Sequence, residues 1–227
     1  MIRIDIISAV PNLLQSPLNT SIIKRAQDKK KCVIVIHDLR DYAHDKHKQI
    51  DDKPFGGGPG MLLKPEPFFE CIEKLQSERE YDYIIFTSPK GKMFNQNYAN
   101  KLSLSKNIII IAGHYKGIDD RVRERFVTDE ISIGNYILSG GELPALIIVD
   151  AIIRIIPGVL NDSESALNDS FMDDETVEAP YYTRPAEYKG MKVPEILLSG
   201  HDKNISEWKE IKSIELTKKW KQINSME

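Results

Sequence analysis

Four short stretches of this chain consist almost wholly of Ile, Val and aromatic residues, and they limit the fold more than any other feature. They are IRIDII (2–7), CVIVIHDL (32–39), YDYIIFT (81–87) and NIIIIAG (107–113), with FVTDEISI (126–133) as a shorter fifth. β-Branched runs of this length, closed by turn or polar residues, read as strands. A strand with one wet face alternates apolar and polar residues; these barely do, so both of their faces are covered. Longer amphipathic segments lie between them. One covers 18–30, one covers 65–79 with Phe68, Phe69, Ile72 and Leu75 on one face, and one covers 95–104. An apolar helix covers 143–153, interrupted by Asp150. Strands alternating with helices give an α/β fold class with a mostly parallel sheet.

The character changes after Pro157. Residues 161–178 hold seven Asp/Glu and no Lys or Arg, and are short of aliphatics. Such a stretch suits a linker. The expected organisation is therefore a main domain over 1–160, a flexible acidic linker over 161–176 and a small tail domain over 177–227. The tail ends in a helix near 204–223, with Ile205, Trp208, Ile211, Leu216, Trp220 and Ile223 roughly on one face.

Several classes drop out. The longest apolar run is broken by Asp150 and followed by Arg154, well short of the ~18 residues of a membrane span. The opening MIRIDIISAVPNLL reads as a strand and not as a secretory signal, so the expected location is the cytoplasm, with no membrane partner. Cys32 and Cys71 make neither a disulfide framework nor a metal knuckle and read as core residues. His37, His44, His47, His114 and His201 include no metal-binding spacing, so no metal ligands are assigned. Net charge is −3, although residues 24–53 carry nine Lys/Arg against six Asp/Glu. That local excess permits an anionic partner.

Three loops stand out because each follows a strand: TSPKG (87–91), AGHYKGIDDR (112–121) and SIGNYILSGGELPA (132–145). Ligands of open α/β sheets collect at the carboxyl ends of strands. Glycines there keep the loops thin, and Ile133, Tyr136, Ile137, Leu138 and Pro144 supply apolar walls suited to a nucleoside-bearing ligand. Tight turns between buried strands explain one such loop well, and three less well. A fourth stretch, PFGGGPGM (54–61), matches no phosphate-binding spacing and reads equally as a mobile surface loop. Asp169 reads from position alone as a helix cap or a solvated side chain, and Arg154 as half of an ion pair.

Taken together and in order, PFGGGPGM, AGHYKGIDDRV, EISIGNYILSGGELPALIIVDAIIRIIPGVL, DSF, YYTRP and VPEILLSGHDKNISEW closely resemble the bacterial tRNA (guanine-N1)-methyltransferases of the TrmD type, in the SPOUT class. The resemblance runs from Met1 to about Trp208 and implies several things that no spacing shows. The three loops would form a deep trefoil knot, against the general rule that chains do not thread. The protein would be a homodimer with a composite active site. The donor would be S-adenosyl-L-methionine, and the acceptor N1 of the guanosine at tRNA position 37, immediately 3′ of the anticodon. Magnesium is a further cofactor that the resemblance allows.

Matched residue by residue, the resemblance makes Asp169 the general base and Arg154 the group that stabilises charge at O6. It makes Thr87, Ser88, Pro89, Gly113, Ile133, Gly134, Asn135, Tyr136, Ile137, Leu138, Gly140, Gly141 and Pro144 the donor-binding set. The tRNA surface would draw on Lys46, Lys48, Phe55, Gly56, Gly57, Gly58, Ser170 and Arg184. The chain departs from the pattern at Lys116, where relatives usually carry Glu, and at Asn135, where they commonly carry Asp. Its tail also reads as shorter than that of relatives. The alternatives are a catalytically weak RNA- or cofactor-binding SPOUT protein, and a SPOUT methyltransferase acting on another RNA site.

Overall fold

The Ile-rich runs form the middle of a parallel sheet. The computed structural model describes residues 1–160, 169–172 and 175–224, and these fall into two compact units that divide at Ser163 and Glu164. The first unit holds strands β1 (Ile2–Ser8), β2 (Cys32–Asp38), β5 (Tyr83–Met93), β6 (Asn107–Ala112) and β7 (Asp129–Ser132) in one sheet. Their order is β2-β1-β6-β5-β7, and every neighbouring pair is parallel. Two residues each of β3 (Asp51–Asp52) and β4 (Leu62–Leu63) make a small antiparallel pair beside it.

Period-two alternation sends each central strand to two cores. On one side Ile4, Ile6, Ile108 and Ile110 lie under α1 (Asn12–Leu18), α2 (Ser21–Asp28), α4 (Gln96–Ser103) and α6 (Glu142–Ile153). On the other, Ile7, Ile109 and Ile111 meet α3 (Pro65–Glu78) and α5 (Asp120–Phe126). The α/β class expected from the sequence is thus the observed one.

Local boundaries differ in instructive ways. The helix expected over 18–30 is α2, confined to 21–28, and a separate helix α1 over 12–18, with Pro17 inside it, precedes it unannounced. The strand expected over 126–133 is shorter: Phe126 closes α5, and pairing begins at Asp129. No periodicity revealed α5, whose seven residues open with Asp119 accepting the backbone N–H of Arg121.

Among the described residues, one charged side chain is fully buried within the sheet. Asp5 is fully buried on β1 and accepts hydrogen bonds from Arg3 Nε and Nη2 at 2.8 Å and from Tyr81 Oη at 2.8 Å, with His37 Nε2 at 2.7 Å. Burial pushes its carboxyl up, but His37, Arg3 and Tyr81 together outweigh that and hold it at about 2. A carboxyl held below its ordinary value contributes stability above that ordinary value and loses it as pH falls toward the folded value. We expect this group to withdraw about 2 kcal/mol between pH 5 and pH 2. Denaturant unfolding of the wild type and Asp5→Asn across that window reads it. A constant gap between the two proteins would show that Asp5 is not held low.

The second unit contains the hairpin β8 (Glu187–Tyr188) and β9 (Met191–Lys192), a short helix α7 (Glu195–Leu198) and the long helix α8 (Asp202–Asn224). No residue of α8 is buried within the described structure. A strap runs along it: Ser213 Oγ donates to the Val177 carbonyl at 2.6 Å, and the Val177 N–H donates to Thr217 Oγ1 at 2.9 Å. Of the stretch expected as linker, 161–168 and 173–174 lie outside the described residues.

Candidate active site

The middle of β5 and the carboxyl ends of β6 and β7 enclose a cleft of about 860 Å³, within the range typical of sites for drug-sized ligands. Its first wall is a bulge. β5 pairs with β7 in register as far as Thr87, slips, and resumes at Lys92 opposite the same Ile131. Residues 88–91 are therefore thrown out of the ladder, so TSPKG is a bulge within β5 and not a loop beyond its end. Such bulges re-aim side chains beside sites.

The second wall is a close crossing of two segments. The Gly141 N–H donates to the Gly113 carbonyl at 2.6 Å, and the Thr87 hydroxyl lies within reach of the Ile111 and Gly141 carbonyls at 3.2 and 3.4 Å. A Cβ on Gly141 would overlap Thr87 Oγ1 and lie 2.8 Å from Gly113 N and 2.9 Å from Ala112 Cα. Only glycine lets these backbones meet.

Twelve of the thirteen residues expected to hold the donor line this one cleft: Thr87, Ser88, Pro89, Gly113, Ile133, Gly134, Tyr136, Ile137, Leu138, Gly140, Gly141 and Pro144. Asn135 does not; it is the one member of its loop, 133–141, missing from the lining. Sequence reasoning missed Gly60 and Met61, which belong to the same wall although PFGGGPGM carried no phosphate spacing.

Sequence reasoning also missed Glu142, buried at the first turn of α6. Its Oε1 accepts from Ser8 Oγ at 2.8 Å, and its Oε2 stands 3.7 Å from His114 Nδ1. A carboxylate at a helix N-terminus is favoured by the macrodipole, and the sequence clue was a Glu directly after two glycines at a helix start. The three residues tie β1, the loop after β6 and α6 together beneath the cleft.

The remaining candidates lie elsewhere. Arg154 follows the last turn of α6 and lines a second cavity of about 530 Å³ with Pro17, Thr20, Gln96, Ile147 and Asp150. Asp169 and Ser170 belong to the second unit, in a turn where Ser170 Oγ accepts the Glu178 N–H at 3.1 Å. In the same turn Phe171 packs on Trp220 with ring centroids 5.0 Å apart. Phe55 is fully exposed, and side chains added at Gly56, Gly57 or Gly58 would meet nothing. Lys46 and Lys48 are exposed on the preceding loop, with Lys48 Nζ 3.3 Å from Asp41. Arg184 is exposed in the second unit, before a cis peptide bond to Pro185.

Among the described residues no three His, Cys, Asp or Glu side chains cluster as a metal site would need. The acidic groups of the cleft do not fit one either: Asp120 is bonded to Arg123 Nε at 2.6 Å, and Glu130 acts on the same guanidinium. Among the described residues no helix is long and apolar enough to cross a membrane.

Residues 2–223 match the family model described as tRNA (Guanine-1)-methyltransferase TrmD. A Bacteroides fragilis protein named tRNA (guanine-N(1)-)-methyltransferase is 57% identical over 217 residues, covering 96% of this chain and 96% of the relative. Proteins of the same name from Bacteroides thetaiotaomicron and Chlorobium chlorochromatii are 57% and 51% identical, covering 96% and 93% of those relatives. These relatives are therefore about as long as this chain, unlike the longer tails expected above. The chain belongs to the tRNA (guanine-1)-methyltransferase TrmD family.

Proposed function

We propose that this protein is a tRNA (guanine37-N1)-methyltransferase that draws its methyl group from S-adenosyl-L-methionine. One observation carries the reading beyond family membership: three segments distant in sequence converge on a single glycine-walled cleft at the middle of β5 and the carboxyl ends of β6 and β7. Thr87, Gly113 and Gly141 would hold the donor by backbone contact, and Ile133, Leu138 and Pro144 would pack on its nucleoside. The sulfonium of that donor supplies an electrophilic methyl group without a metal. No step is assigned to magnesium.

The residues then divide the work. N1 of neutral guanine carries a proton and is a poor nucleophile until the proton leaves. Asp169 takes that proton as general base. Charge shifts toward O6 as it goes, and the Arg154 guanidinium stabilises it there. The base would be flipped out and read by shape and by contacts to its neighbours, through Phe55, Gly56, Gly57, Gly58, Lys46, Lys48, Ser170 and Arg184. The substrate places the enzyme in the cytoplasm. Residues 1–160 serve as the donor-binding domain, and 177–227 as the tRNA-binding tail.

The position of Arg154 supports a homodimer. The residue lies ten residues along α6 from Pro144, the last residue of the cleft, a rise of about 15 Å. The outer face of the same helix exposes Leu143 and Ile147, at 53% and 47%, beside Leu13 at 51%. A two-fold axis across the middle of α6 would cover that face and bring the partner's Arg154 to this cleft. The crossing of 133–141 over Gly113 and Thr87 is where we place the trefoil knot.

Arg154→Ala is expected to lower turnover about a hundredfold with donor affinity unchanged, as loss of one preorganised donor to developing charge does. Single-turnover rates and donor titration check it; unchanged turnover sinks its role at O6. The function is tested with labelled S-adenosylmethionine and two unmodified transcripts, one with guanosine and one with adenosine at position 37. Label is expected in 1-methylguanosine from the first only. No label with intact donor binding favours the RNA- or cofactor-binding alternative.

A further inference from the structure

We propose that Lys116 holds a backbone phosphate of the RNA at the mouth of the cleft. The inference rests on the reading above that RNA enters there. Lys116 lies on the loop between β6 and α5, exposed, with its side chain over Gly60. Two contacts fix that placement. Its N–H donates to the Met61 carbonyl at 3.1 Å, and the Leu63 N–H donates to the Gly117 carbonyl at 3.1 Å, stapling this loop to the end of PFGGGPGM. A Cβ on Gly60 would lie 3.1 Å from both Cγ and Cε of Lys116, so the aliphatic stem runs close over this glycine. Gly60 also has φ +94°, in the left-handed region.

The charges of the cleft single out this lysine. Arg123 is bonded to Asp120 and feels Glu130; Lys90 acts on Asp120; His114 faces Glu142. Among the described residues Lys116 alone of the cleft's cationic side chains has no carboxylate acting on it. An exposed ammonium at a cleft mouth with no carboxylate beside it favours an anion. Two anions would come here, the donor's carboxylate and the RNA's phosphodiester. Lys116 stands on the solvent side, beside Gly60 at the end of the stretch that carries the fully exposed Phe55, where the RNA backbone would pass. An ammonium serves as a point charge for phosphate and needs no fixed fork.

The test uses the full chain and an unmodified transcript with guanosine at position 37. KM and direct RNA affinity are measured across a sodium chloride series for wild type, Lys116→Gln and Lys116→Arg, with donor affinity by calorimetry. Gln keeps the stem over Gly60 and removes the charge. We expect about a tenfold rise in KM for RNA at low salt, with kcat and donor affinity unchanged. The slope of log affinity against log salt should fall by about 0.7, the signature of one lost phosphate contact. Arg should restore the slope. An unchanged slope overturns the proposal, as does weaker donor binding with unchanged RNA affinity, which would give Lys116 to the donor carboxylate. If the wild type binds this transcript but transfers no methyl, the reading of function fails while the salt slope still judges Lys116.

Discussion

Replacing Asp169 with Ala is expected to abolish methyl transfer and leave donor binding in place. A positioned general base contributes ~10²–10⁴ in rate, and here the uncatalysed path must use a nitrogen that still carries its proton. The donor cleft is lined by residues between Gly60 and Pro144 of the first unit, whereas Asp169 belongs to the second. Donor affinity therefore has no reason to follow the rate down. Single-turnover transfer and calorimetric donor titration of the same preparation separate the two. If both fall together, Asp169 is a structural residue and the base must be sought elsewhere.

The second large effect is expected at Gly141. Its neighbours are backbone atoms of Gly113 and Ala112, at 2.8 and 2.9 Å from where a Cβ would stand, and the hydroxyl of Thr87. Backbone at the end of a buried parallel strand cannot yield as a flexible side chain can. Gly141→Val should cost about 3 kcal/mol or more and remove donor binding with it. Gly57→Ala is the matched control: φ is +78° there, but nothing lies within 4 Å, so only about 1 kcal/mol of backbone strain is expected and the cleft is untouched. Unfolding midpoints and donor titration read both. Wild-type donor affinity in Gly141→Val would mean that the crossing has slack the geometry denies.

The central sheet was legible because apolar runs covered on both faces have no other reading, and β1, β2, β5 and β6 sit where Ile and Val cluster. The bulge at 88–91 was not, since pattern cannot show a register slip, and TSPKG looks like any strand end. Helix α1 was hidden because Pro17 stands inside its seven residues, where a proline reads as a break. Gly113, Gly140 and Gly141 drew attention as loop glycines, yet their function as a crossing depends on partners tens of residues away. Asp169 and Arg154 were nameable only through the family resemblance, because neither stands in a local pattern that demands chemistry. Glu142 escaped for the opposite reason: a helix-start carboxylate looks ordinary until Ser8, far away in sequence, is found beneath it.

The strand order has a consequence for synthesis. β1 pairs with β2 on one edge soon after both leave the ribosome, but its other neighbour begins at Asn107. From Asp38 to Asn107 the ribosome must add roughly seventy residues, which at ~5–20 residues per second takes about 4–14 s. For that interval Ile2, Ile4, Ile6 and Ile7 sit on a strand with an unpaired edge. Nascent chains of this fold should therefore be clients of ribosome-proximal holdases, and stalling between codons 40 and 105 should favour aggregation over pausing elsewhere.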